Sequence, residues 1–98
     1  MRLKDYKDDL IQRLKDPEYA AAYLAQVLEE GDKGAFLIAL KDVVEAGGGM
    51  GVLAQRVAIK RPSLYRILSG KGNPTLSTLQ DILKPLGMRV SVTCLNSS

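Results

Sequence analysis

A mainly helical single domain closed by one short strand is the fold this sequence predicts. Three observations carry that expectation. Apolar residues recur at three- and four-residue spacing over most of the chain. Capping and stop residues (Asp16-Pro17, Asp32, Gly47-Gly48-Gly49, Thr75) cut the chain into helix-length pieces. Only residues 88–94 change to strict alternation. A length of 98 residues allows one modest core and not two.

Each element has its own justification. A first helix over 4–14 turns Leu10, Ile11 and Leu14 inward. Asp16-Pro17-Glu18 then supplies an N-cap, a proline at the first helical position and a first-turn carboxylate. The helix that follows is rich in helix formers and stops at Gly31. Its apolar face is expected from Tyr19, Tyr23 and Val27, with Leu24 and Leu28 beside them, which makes both tyrosines core residues. Asp32 opens a third helix in which Phe36, Leu37, Leu40, Val43 and Val44 form a stripe, while Lys41, Asp42 and Glu45 form an exposed face. Gly47-Gly48-Gly49 ends it in a tight turn.

Two short helices are expected next, over 50–57 and from 61 or 62 to 68. Residues 70–74 read as a loop by composition. Thr75 caps a last helix with Leu76, Leu79, Ile82 and Leu83 inward, ending or kinking at Pro85 and closed by Gly87. In 88–94, Met88, Val90, Val92 and Cys94 alternate with Arg89, Ser91 and Thr93, a half-buried strand with Cys94 as a small buried residue. A lone strand has no partner within a helical chain. Either it pairs with the same strand of a second subunit, with Met88, Val90 and Val92 at the dimer interface, or it is an extended, solvated tail.

Composition narrows the functional classes. The chain has no His, and Cys94 is its one cysteine, so neither an internal disulfide nor a metal site of usual form is expected, and no cofactor is implied. No apolar run is long enough to span a membrane, and the first residues lack the pattern of a signal peptide, so a cytoplasmic protein that works by binding is expected. Catalysis is not. Asp8 and Asp9, like Glu29 and Glu30, are sequence neighbours about 100° apart on a helix and form no opposed pair.

Charge is divided unevenly along the chain. Residues 1–49 hold seven basic and ten acidic side chains, a balance of −3, whereas residues 50–98 hold seven basic ones and only Asp81, a balance of +6. The stretch VLAQRVAIKRPSLYRILSGKGNP, residues 52–74, carries five basic side chains and no acid. Such a skew points the second half toward a polyanion. The same stretch has helix-turn-helix spacing: Leu53, Val57, Ile59, Leu64 and Ile67 inward, small Ala54 at the close contact of the two helices, and Ala58 in the turn.

The outward residues of the second helix then face a groove. Arg61 and Arg66 can each present a guanidinium fork to guanine, and Ser63 can touch a base edge or a phosphate. Lys60, Lys71, Asn73 and Gln55 suit phosphates. Tyr65 packs against the domain while its hydroxyl reaches the backbone of the DNA. The plainer alternative for any one arginine is a solvated helix face.

Residues 52–87, with LAQ, SLYRILSGKGNP and TLQDILKPLG in order, resemble the five-helix DNA-binding domain of phage repressors (Xre/Cro/CI type), a likeness that spans residues 35–87. Upstream, DPEYAAAYL, LEEGD and GGM are similar to the probable addiction-module antidote proteins, HigA-like antitoxins encoded beside a short RelE/ParE-like toxin. The resemblance implies a helical extension at 1–31, a repressor-like domain at 32–87 and a strand and tail at 88–98. It also implies neutralisation of a cognate toxin by direct contact and repression of the shared operon through double-stranded DNA. Two other classes stand beside this one: a stand-alone regulator without a toxin, and a protein-interaction module that has lost DNA binding. The absence of acids from residues 52–74 argues against the last. Relatives usually carry Gly where Ala58 stands and Ser or Thr where Lys60 stands, and Pro85 replaces a helix former. A positive φ at Ala58 would cost about 1 kcal/mol.

Overall fold

The computed structural model describes residues 3–95; the first two and last three positions of the expected N-terminal extension and C-terminal tail lie outside the described residues. Six α-helices follow one another: α1 (Leu3–Arg13), α2 (Pro17–Glu29), α3 (Lys33–Ala46), α4 (Met50–Arg56), α5 (Arg61–Ile67) and α6 (Leu76–Leu83). A 3-10 turn, Lys84–Leu86, extends α6.

The caps are those the sequence specifies. The Glu18 N–H donates to Asp16 Oδ1 at 3.1 Å and the Ala35 N–H to Asp32 Oδ1 at 3.0 Å. The Thr78 N–H donates to Thr75 Oγ1 at 3.1 Å. Each such cap is worth about 1 kcal/mol relative to alanine. Between α3 and α4 the backbone takes φ of +117° at Gly48 and +95° at Gly49, values that L side chains rarely adopt. That requirement explains Gly48 and Gly49; Gly47 has an ordinary φ of −88°. Pro85 stands in the 3-10 turn, and the left-handed Gly87 ends it, with the Met88 N–H donating to the Leu83 carbonyl at 3.1 Å.

The third helix is the axis of the molecule. It packs against α1, α2 and α4 and alone buries Phe36, Leu37, Ala39, Leu40, Val43 and Val44. One apolar cluster joins these to Leu14, Ala20 and Leu24 on one side and to Met50, Leu53, Leu64, Leu68, Ile82 and Leu83 on the other. Among the described residues no polar or charged side chain is buried. Leu37, Leu40, Leu64, Leu68 and Ile82 are sealed from solvent, and burial of each contributes about 1.5–3 kcal/mol.

Several expectations are corrected. No strand forms among the described residues: 88–95 is irregular, because a strand needs a partner and no second extended segment pairs with it among those residues. Cys94 is exposed rather than buried, since that segment leaves the core after Met88. The inward face of α2 is turned from the expected one. Ala20 and Leu24 are buried, Tyr23 and Val27 half-buried, and Tyr19 and Leu28 exposed. Small Ala20 lets α2 approach the core where a ring would hold it off. Leu76, the first residue of α6, is 59% exposed. Lys41 and Asp42 are half-buried rather than an open face, because α5 and α1 lie over them. Ala58 brings no strain, as no described non-glycine residue has positive φ.

Candidate nucleic-acid interface

Val57 ends α4 by turning extended, at φ −123° and ψ 155°. Lys60 is extended as well, and Arg61-Pro62 restarts the helix with proline in its first turn. Leu53 and Leu64 are buried where α4 and α5 pack together, with Ala54, Val57, Ile59 and Ile67 half-buried around them. Leu68, which caps α5, is also sealed in the core. The expected small core between the two helices is therefore present, enlarged by one leucine. Lys60 makes no side-chain cap and stands exposed.

Three groups of side chains lie on the outer side of this unit. The first surrounds Tyr65, which is 44% exposed. The Arg61 guanidinium lies 5.9 Å from the Tyr65 ring centroid and the Lys41 ammonium 5.8 Å from it. Both are within cation–π range. A Cβ placed on Gly51 would meet the Arg61 guanidinium at 3.5 Å, an ordinary van der Waals contact, so Arg61 lies over the first turn of α4. Gln55 and Glu45 line the same groove of about 630 Å³.

The second group is a pair. Arg66 Nη2 donates to Ser63 Oγ at 3.3 Å, one turn apart on α5. Ser63 thus orients Arg66 and is half-buried rather than fully outward.

The third group is the loop after α5. Gly72 packs so closely on the Ile67 carbonyl that a Cβ would collide with it. A Cβ on Gly34 would lie 2.8 Å from the Gly70 carbonyl oxygen, so α3 and the loop touch backbone to backbone. Lys33 Nζ donates to Asn73 Oδ1 at 3.1 Å, and the Lys71 N–H donates to Ser69 Oγ at 3.3 Å. The loop's glycines and asparagine thus fix the chain against α3 and leave Lys71 exposed.

All eight expected contact residues lie on α4, α5, the turn or this loop. Gln55, Arg61 and Tyr65 are gathered in the groove, Ser63 and Arg66 form a pair, and Lys71 and Asn73 share the loop. Sequence reasoning missed Lys41 and Lys33. Both are on α3, and only packing brings them to Tyr65 and Asn73, so no local pattern could have found them. The expected dimer residues separate: Met88 packs on the core, while Val90 is 38% and Val92 95% exposed. No cluster of metal-ligating side chains is present among the described residues, and no described helix is long and apolar enough to cross a membrane.

Comparison with known proteins gives the arrangement a context. A family model described as probable addiction module antidote protein matches residues 4–94. An uncharacterized protein of Haemophilus influenzae is 35% identical over 91 residues, 93% of this chain and 91% of that protein. No solved structure matches the chain.

Proposed function

The chain belongs to the probable addiction module antidote protein family, which is not an enzyme family and implies a cognate toxin as partner, and from that premise we propose the following mechanism. The protein is a cytoplasmic antitoxin that neutralises a RelE/ParE-like toxin by direct contact and represses its own operon by binding double-stranded DNA. The observation that carries the DNA part is the set Lys60, Arg61, Arg66 and Lys71 on α5 and its flanks, in a stretch of 23 residues (52–74) free of carboxylates, joined by Lys41 of α3 beside Tyr65.

In this reading α4 and α5 form a helix-turn-helix, and α5 enters the major groove. Arg61 and Arg66 read guanine edges, each worth about 1–3 kcal/mol of discrimination. Tyr65 holds the Arg61 guanidinium before DNA arrives, and Ser63 does the same for Arg66, which lowers the ordering cost of binding. Lys60, Lys71, Asn73 and Gln55, with Lys33 and Lys41 from α3, meet phosphates and set position without reading sequence. A homodimer joined through the 88–95 segment, with Val90 and Val92 in contact, presents two such helices to a two-fold operator.

Growth of cells expressing the neighbouring short reading frame, alone and with this protein, tests the antitoxin role. Arrest alone with rescue on co-expression is the expected result; arrest without rescue removes the role. Fluorescence anisotropy on promoter DNA tests the second role, and equal affinity for promoter and scrambled duplexes would remove specific repression.

A further inference from the structure

A groove of about 180 Å³ runs between α2 and the segment that follows the 3-10 turn. Phe36 and Leu83 form its buried floor, Ala25 and Leu28 one wall, and Met88 and Val90 the other. Leu28 is 59% exposed at the rim. Just beyond the second wall the chain carries two apolar side chains with almost no cover from the rest of the protein: Val92 is 95% and Leu95 100% exposed. One exposed leucine is ordinary on a protein surface, whereas an open apolar groove beside bare apolar side chains marks a contact surface.

Charge and size select the occupant. Arg89 is the one charged residue lining the groove, and residues 90–95 carry no charge. Nucleic acid or a strongly charged protein surface finds little to pair with there, while a neutral apolar segment enters without desolvating a charge. A cavity of about 150 Å³ holds a benzene ring, so this groove has room for a valine or leucine side chain. The chain's own tail does not fill it. Residues 88–91 are built into its wall, and Val92 and Leu95 stay in solvent. A second copy brings the same two side chains, and a two-fold axis lets each subunit give its tail and receive the other's.

Resting on the homodimer reading above, we propose that the groove beside α2 receives Val92 and Leu95 of a second copy, so that the dimer is closed by a reciprocal exchange of tails.

Sedimentation equilibrium of the full-length protein tests it, with circular dichroism to confirm that each variant keeps its helices. Leu28→Arg and Leu95→Asp alter exposed side chains, and each alone should weaken the dimer by about tenfold or more. Combined in one chain, they set a carboxylate against a guanidinium across the subunit contact and should restore dimerisation. A double variant no more dimeric than the single ones overturns the exchange. A full-strength dimer in Leu28→Arg overturns the groove as acceptor and leaves a tail-to-tail dimer standing. If that variant keeps its dimer but no longer binds the product of the neighbouring reading frame, the groove belongs to the toxin and the proposal is likewise overturned. An unaltered chain that stays monomeric removes the homodimer reading and the exchange together.

Discussion

Replacing Gly72 with alanine probes how the loop after α5 is held. The added Cβ would strike the Ile67 carbonyl oxygen and lie 2.7 Å from its carbon and 2.9 Å from its Cα. These are backbone atoms at the end of α5, flanked by the sealed Leu64 and Leu68, so they cannot swing aside as a long side chain would. The loop must move instead, at the about 1–3 kcal/mol typical of overpacking. Reduced freedom of the unfolded chain offsets about 0.4–1 kcal/mol of that. A net loss of roughly 1–2 kcal/mol lowers Tm by about 4–16 °C for a domain of this size, which scanning calorimetry reads directly. Displacing the loop also displaces Lys71 and breaks the Lys33–Asn73 bond. With two cations removed from phosphate, the log–log salt slope of promoter binding should flatten by about 1.8. An unchanged Tm refutes the steric reasoning. A lowered Tm with an unchanged slope keeps the packing and rejects the loop as a phosphate clamp.

Arg61→Ala should weaken binding to the promoter more than to unrelated DNA, because a base contact carries discrimination; equal losses on the two duplexes would assign Arg61 to phosphate. Asp42→Asn should stabilise the protein at neutral pH. Burial outweighs the nearby Lys7 and raises the Asp42 pKa above 3.8, so the folded state favours the protonated acid. The stability that protonation brings is complete below the unfolded value and lost as pH rises through the folded one. The difference between the two proteins should therefore shrink on acidification toward pH 3.8, and urea titrations with a constant difference would refute it. Val90→Ser with Val92→Ser should give a monomer in sedimentation while Met88 keeps its place on the core; a persistent dimer would move the subunit contact elsewhere.

Helix boundaries were legible in the sequence because their determinants are local. Asp16-Pro17, Asp32 and Thr75 cap through bonds to residues two or three positions away, and a glycine pair marks the turn that only glycine makes easily. The stripe of α3 was legible too, because a helix surrounded by others writes its burial into spacing. On α2 the spacing was ambiguous. Tyr19 and Ala20 both continue an apolar pattern, and the choice between them depends on how near α3 lies. The strand expectation failed for a related reason, since alternation describes a segment but a strand requires a partner. At the candidate interface the residues of α4, α5 and the loop were readable from charge and motif. Lys33 and Lys41 were not, being 40 residues from Asn73 and 24 from Tyr65, respectively.

The continuity of the apolar cluster has a consequence for any attempt to separate the protein's activities. Leu14, Ala20 and Leu24 share their interior with Leu53, Leu64 and Ile82 through α3. On that helix the neighbours Lys41 and Asp42 are turned to opposite tasks, one toward Tyr65 and the other toward Lys7. A fragment keeping only the second half would lose one wall of α3, and a fragment keeping only the first would lose the other. The molecule has no seam along which to cut it. Variants that divide its roles must be made one surface side chain at a time.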